Sequence, residues 1–349
     1  MIKKLYLFIF LAFLTCGVAM AQTTLDVNFS GLGFLDNREY KDFISRSRTY
    51  SGTRTALDLG LNIDTLNSFV VGANAIHEFG ATPYFLKVNP IAYYSFHNKN
   101  WLFNAGEFSR SGLIDNYPRA LLNDTLQYYR PNIEGLFLRF LNNKKNFTET
   151  MWIDWVSRQT DTQREEFLIG LEGKYRPNPF GPFYVSHYFV LLHDAGAAIL
   201  TPNDHISDNG GAQIRLGLDF SHKTVLDSLS IEAGAMTSLE RTRGVDQTQS
   251  HKGFVASAYL SYWRVAVFNE FYAGQGSHIM FGDSFYEKKF YNRTDFIITP
   301  FVAKGLKGQF VFTMHKTPGF TSNQEAFRVT YDLGRRKIAT FAGATETSK

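Results

Sequence analysis

Thr53-Arg-Thr-Ala-Leu-Asp-Leu-Gly-Leu-Asn-Ile-Asp64 puts Leu57, Leu59, Leu61 and Ile63 on one face of an extended chain and Arg54, Asp58, Asn62 and Asp64 on the other. Successive side chains of a strand point to opposite faces, so this stretch is a β-strand with one apolar and one polar surface. The same period recurs at Phe69, Val71, Ala73 and Ala75, at Phe167, Ile169 and Leu171, and at Ile214, Leu216, Leu218 and Phe220. It returns at Leu229, Ile231, Ala233 and Ala235, at Phe310, Phe312 and Met314, and at Phe327, Val329, Tyr331 and Leu333. Each copy runs for about ten residues, the length a tilted strand needs to cross a bilayer, whereas the strands of soluble sandwiches average about five or six.

Composition points the same way. Aromatic residues make up 16% of the chain, with 33 Phe and 18 Tyr, yet mean hydropathy is slightly negative at -0.19. A barrel wall whose lipid-facing and lumen-facing residues alternate cancels in any average. The chain opens with Met1-Ile-Lys-Lys4, an apolar run from Leu5 to Leu14 and small residues ending Ala19-Met-Ala21. Those are the parts of a secretory signal peptide over residues 1–21. Cleavage there removes Cys16, the only cysteine, so the mature protein is held by its sheet and not by disulfides. A formal net charge of +4, with dispersed basic residues, gives no footing for nucleic acid.

Connector lengths alternate. Short links are expected at 65–68, 98–100, 142–146, 177–181, 263–264 and 304–308, and between them longer ones at 31–52, 111–132, 194–210, 241–252 and 277–292, with two outer connectors, 81–85 and 161–165, that are also short. Bacterial barrels place short turns on the periplasmic side and long loops outside. These segments predict an all-β fold, a transmembrane antiparallel β-barrel of about sixteen strands (14–18 are possible), spanning 22–334 with a periplasmic tail over 335–349; the alternative is a last strand that runs on through Ile338 and closes at Phe341. The third outer connector, Ser111 to Asn132, is too long and too rich in side chains that need partners to be a simple turn. It is expected to fold back into the lumen.

The segments Phe34-Leu-Asp-Asn-Arg-Glu-Tyr40, read as part of the first long connector, Asp124 to Gly135 and Trp152 to Thr160 resemble those of an uncharacterised family of porin-type outer-membrane barrels of the Bacteroidota. That resemblance implies the cell outer membrane of a Gram-negative bacterium as location and outer-membrane lipid as surroundings. It also implies a constriction made by the third outer loop, and homo-oligomers are possible. It carries no named substrate.

In such a lumen, Arg110, Asp115, Arg119, Asp124, Tyr128, Tyr129 and Arg130 of the insertion would face Asp154, Arg158, Glu166 and Arg215 of the wall. Opposed charges across a gap orient polar solutes, while tyrosine faces can stack on sugars. The function expected on this reading is passive or weakly selective passage of small hydrophilic solutes, with a plugged barrel serving as anchor or receptor as the alternative. The structural alternative for the same residues is a brace of ion pairs that selects nothing. An enzyme is not expected: Ser186 and His187 are neighbours on a strand and point to opposite faces, and His205-Ile-Ser207 lacks a third member. No cofactor or metal is expected, although Pro202 to Asn209 is oxygen-rich enough for calcium to be considered.

Overall fold

The computed structural model describes residues 23–41, 45–199, 201 and 204–341. The expected signal peptide with Cys16, and residues 342–349 of the expected tail, lie outside them. Seventeen strands run in chain order: β1 (Thr23–Glu39), β2 (Arg48–Asn62), β3 (Asn67–Glu78), β4 (Lys87–His97), β5 (Trp101–Ser109), β6 (Asn132–Leu141), β7 (Phe147–Ser157), β8 (Glu165–Tyr175) and β9 (Phe183–Gly196). They continue as β10 (Ser207–Asp219), β11 (Ser228–Thr242), β12 (Gln249–Tyr262), β13 (Val265–Gly274), β14 (Phe290–Ala303), β15 (Leu306–Thr317), β16 (Phe320–Asp332) and β17 (Arg336–Phe341). From β1 to β16 each strand pairs antiparallel with the next.

β1 closes the sheet. One edge pairs with β2 from Thr24 to Arg38. Its other edge pairs with β16 from Ser30↔Asp332 to Glu39↔Asn323 and with β17 from Thr23↔Phe341 to Val27↔Arg336. β16 and β17 therefore share one position, and the barrel has sixteen. Closure leaves no free sheet edge, which is what a lipid environment demands of the backbone.

The wall is turned inside out relative to a soluble protein. Leu57, Val71, Ile214 and Leu216 are exposed on its outer face, whereas Asp36 and Asp154 inside have 0% exposure. Rings gather on the outer face as well, with Tyr94 lying 5.3 Å from Phe69 and 6.4 Å from Phe103 between ring centroids. Tyr93, one residue earlier, points into the lumen and packs on Phe108.

Two sequence expectations change. Phe34 to Glu39 belong to β1 and not to a connector, so the first outer link shrinks from 31–52 to 40–47. The wall also does not end at 334. Gly334 takes a positive φ of 65°, a conformation that breaks the strand for three residues before β17 resumes on β1. Arg335 of this break turns inward, donates to Tyr93 Oη at 3.2 Å and pairs with Asp58 at 2.8 Å. A Cβ on Gly60 would lie 2.7 Å from the Arg335 guanidinium, so glycine makes room for it.

Truncation after Gly334 should leave Thr23–Val27 unpaired on one edge. On unheated denaturing gels that variant is expected to lose the compact, heat-modifiable band, while truncation after Phe341 keeps it; equal behaviour of the two would remove β17 from the wall.

Candidate functional site: the lumen and the outer wall

The third outer connector runs from Arg110 to Pro131, and its ends are tied by Arg110 N donating to Pro131 O at 2.8 Å. Gly112, at φ 80°, starts a turn in which Asp115 accepts from its backbone N–H at 2.8 Å. Leu121 N and Leu122 N donate back to Pro118 O, and a four-residue helix α1 (Leu126–Tyr129) follows. These turns aim Ile114, Tyr117, Ala120, Leu121, Leu122 and Leu126 at one apolar cluster with inward side chains of the wall, among them Phe137, Trp152, Leu168 and Val190. Tyr117 meets Trp152 edge-on at 5.8 Å and accepts its indole N–H at 3.0 Å.

The far end of the connector reaches the opposite wall. Tyr128 stacks on Phe34 of β1 at 4.3 Å, donates to Asp36 at 3.2 Å and accepts from Arg328 of β16 at 2.9 Å. A segment that meets β7 at one end and β1 and β16 at the other crosses the barrel's interior. A second connector, 275–289, joins it there: Asn123 N and Nδ2 donate to Phe281 O, and Asp283 N donates to Arg119 O at 2.9 Å. Its short 3₁₀ turn (Ser284–Glu287) buries Phe285 and Tyr286.

Charges hold the assembly. Asp124 accepts from Arg38 at 2.9 Å, Arg328 at 3.2 Å and Arg119 at 3.4 Å, and Arg119 also reaches Asp283 at 3.1 Å. Burial alone would push the Asp124 carboxyl up, but the guanidiniums of Arg119, Arg38 and Arg328 hold it well below the usual carboxylate range. Asp154 pairs with Arg110 and, at 3.5 Å, with Arg130. Arg215 sits apart, between Gln213, Glu232 at 3.3 Å and Glu270 at 2.9 Å.

The structure thus brings together Arg110, Arg130 and Asp154 in one group and Arg119, Asp124 and Tyr128 in another. Tyr129 donates to Glu78. Arg158 does not join: it is exposed in the outer link after β7. Glu166 makes no ion pair within this set among the described residues, and Arg215 belongs to its own cluster. Sequence reasoning missed Asp36, Arg38, Asp283 and Arg328, which reach the site from 86 to 204 residues away and share no local pattern with it.

Open space remains around and inside the connector. An outer vestibule of about 470 Å³ has Arg119 and Asn123 in its lining, a small cavity of about 100 Å³ within the connector shares both, and an inner cavity of about 460 Å³ shares Arg110, Asp115 and Gln127 with that small one. A second inner cavity of about 650 Å³ lies against β6–β9 and is lined by Arg139, Glu172 and Tyr188.

The outer wall carries a separate arrangement. Near the outer ends of β9 and β10, His193 Nδ1 donates to Asp208 at 2.6 Å, and Arg243 binds the same carboxylate at 3.1 Å. A groove of about 390 Å³ runs from there over Gly210 and Ala212, between Phe189 and Leu191 on one side and Thr237 and Leu239 on the other. Of the oxygen-rich loop, Asp204 pairs with Arg164, which also donates to His205 O; Pro202 and Asn203 lie outside the described residues.

Residues 18–339 match the model of the family described as Lipid A 3'-O-deacylase-type. The chain belongs to that family. The expectation that this deacylase-type chain is not an enzyme is overturned by the match, because the family bears an enzyme's name. No curated protein matches. Among solved structures, the chain resembles in-vitro-folded OmpT of Vibrio cholerae, in its trimer form, with 10% identity over 89% of this chain and 99% of that one, at a TM-score of 0.55. Salmonella typhi OmpF in complex with daunomycin matches with 11% identity over 88% and 97%, and a BenF-like porin of Pseudomonas fluorescens Pf-5 with 7% over 90% and 99%, each at 0.50. At such identities the likeness is one of fold: this deacylase-type chain is a closed β-barrel of the outer-membrane type.

Removing the charge of Asp124 leaves three guanidiniums facing one neutral amide. Asp124→Asn should cost about 3–5 kcal/mol, as loss of one partner of a buried pair does, read as a lower urea midpoint and as new protease cleavage after Arg119. Because the folded pKa is depressed, the stabilisation is present above the ordinary carboxylate value and is lost as pH falls through the folded one. The wild-type connector should therefore resist pepsin at about pH 4, near the unfolded carboxylate value, and open only well below it.

Proposed function

We propose that the barrel passes small hydrophilic solutes across the outer membrane, with the third outer connector as the constriction. The observation that carries this reading is the file of three cavities through that connector, each with charged side chains in its lining, linked by Arg119 and Asn123 on the outer side and by Arg110, Asp115 and Gln127 on the inner side. The middle cavity has room for about three waters at roughly 30 Å³ each. At rest it suits water and small ions, and larger solutes require the connector to shift. Asp115, Arg119 and Asp124 around it supply charges of both signs, which orient a dipolar solute along the gap.

The test is single-channel conductance of the refolded protein in a planar bilayer, beside a variant lacking residues 114–129. Small, stable unitary steps in the full-length protein and several-fold larger, less ion-selective steps in the deletion are the expected result. A silent full-length barrel would end the passage reading and leave the connector as a plug.

The family match and the outer wall favour a second reading, hydrolysis of an ester-linked acyl chain of an outer-leaflet lipid. With Nδ1 bound to Asp208, His193 keeps Nε2 free to take a proton from an attacking water, which is the general-base geometry. The groove over Gly210 and Ala212 suits an alkyl chain, and Arg241 and Arg243 at its head suit an anionic headgroup. Incubation with purified lipid A should release fatty acid if this reading holds, and His193→Gln should reduce the release at least 100-fold, in keeping with the usual 10²–10⁴ contribution of a general base. Absence of release by the wild type would dismiss it.

A further inference from the structure

We infer that the inner cavity against β1, β2 and β16 binds a small aliphatic monocarboxylate, a property that holds whether or not the connector lets solutes pass. This cavity, of about 460 Å³, falls within the size range of small-molecule pockets. Its lining includes Arg54 and Asp58 of β2 and Arg328 of β16, together with Arg110, Asp115 and Pro131 at the two ends of the third outer connector.

Arg54 carries the argument. Its partners on the neighbouring strands are Leu32 and Ile76, both buried on the inward face, so its side chain also points into the barrel. The guanidinium makes no hydrogen bond and no ion pair among the described residues. Asp115, the carboxylate whose charge bears on it, accepts from Gly112 N at 2.8 Å and forms no ion pair with it. The other two arginines of the cavity differ: Arg110 is paired with Asp154, and Arg328 with Asp124. A half-buried guanidinium facing a cavity without a carboxylate of its own is a site for one from outside, because its fork matches the two carboxylate oxygens.

Arg110 supplies an independent second donor. Its Nε and Nη2 are spent on Arg130 O, Asn132 O and Asp154, while Nη1 is buried and donates to nothing in the chain. The residue is only 5% exposed and lines the same cavity. A buried N–H left unmet is costly, and an acceptor bound in the cavity relieves it. Two further features fix the class of ligand. Three carboxylates, Asp58, Asp115 and Asp332, stand in the lining against the three guanidiniums, so the cavity suits the single charge that Arg54 leaves unmet and disfavours a second. Buried Leu32 and Ile91, with Pro131, make part of the wall aliphatic, which suits an acid with a small apolar body.

Isothermal titration of the detergent-refolded protein in low-salt buffer with isovalerate, isovaleramide, acetate and sulfate tests the inference. Isovalerate should bind, and its neutral isostere isovaleramide should not. Acetate and sulfate should bind at least tenfold more weakly, the first for want of an apolar body and the second for its double charge. Arg54→Gln should weaken isovalerate at least tenfold, and its thermal unfolding should match the wild type because no partner is lost. Failure of isovalerate to bind, equal binding of isovaleramide, or undiminished binding by Arg54→Gln would overturn the site. Equal affinity for sulfate would overturn its assignment to a monocarboxylate, and equal affinity for acetate the apolar half of that assignment. The comparison of acid with amide is made on the wild type and needs no variant to fold. None of these heats depends on conductance or on release of fatty acid, so the site stands or falls apart from either reading of function.

Discussion

Closure of the sheet at β1 is the constraint on which everything else rests. In lipid each backbone N–H and C=O must find its partner within the protein, and an antiparallel sheet does this only when its first strand meets its last. Here β1 meets β16 with its outer half and β17 with its inner half. Once the ring is closed, one face of every strand belongs to lipid and the other to the interior. The alternation of Leu57, Leu59 and Leu61 with Asp58 is then a necessity and not a preference.

A ring of sixteen strands encloses more space than its own inward side chains fill. This chain fills it with its own connectors. Tyr117, Leu121 and Leu126 bring an apolar core into a lumen that would otherwise be wet, and inward Phe137, Trp152 and Leu168 receive them. Burying apolar surface this way positions the charged groups between connector and wall, where three guanidiniums converge on Asp124. The same packing that stabilises the connector therefore leaves only a narrow space through it, with Asp115, Arg119 and Asp124 in its lining.

Much of the wall was legible because period-two alternation is imposed by the membrane. The outer half of β1 was hidden because both of its faces are charged there: Asp36 and Arg38 point inward while Asn37 and Glu39 point outward, beyond the lipid, so hydropathy no longer alternates. The continuation of the wall through Ile338 to Phe341 was legible only as an alternative, because Gly334, whose left-handed backbone interrupts one strand without ending it, reads as a stop. Within the site, the connector's own residues Arg110, Arg119, Asp124 and Tyr128 could be named from composition and length. Their partners could not, since Asp36, Arg38, Asp283 and Arg328 come from other parts of the chain and are paired by closure alone. The outer-wall pair of His193 and Asp208 was also illegible, because two strands must be set in register before the imidazole and the carboxylate meet.

The central claim is that the third outer connector is packed inside the barrel, and thiol accessibility in a Cys16→Ser background tests it directly. Leu121 is fully buried whereas Asn116, five residues earlier, is exposed to the second inner cavity, against β6–β9. In the refolded barrel, Asn116→Cys should react with a small maleimide as readily as an exposed thiol, and Leu121→Cys should stay unlabelled until the protein is denatured. Equal, rapid labelling of both positions in the folded barrel would mean that the connector lies outside the lumen, and the account built on it would fall.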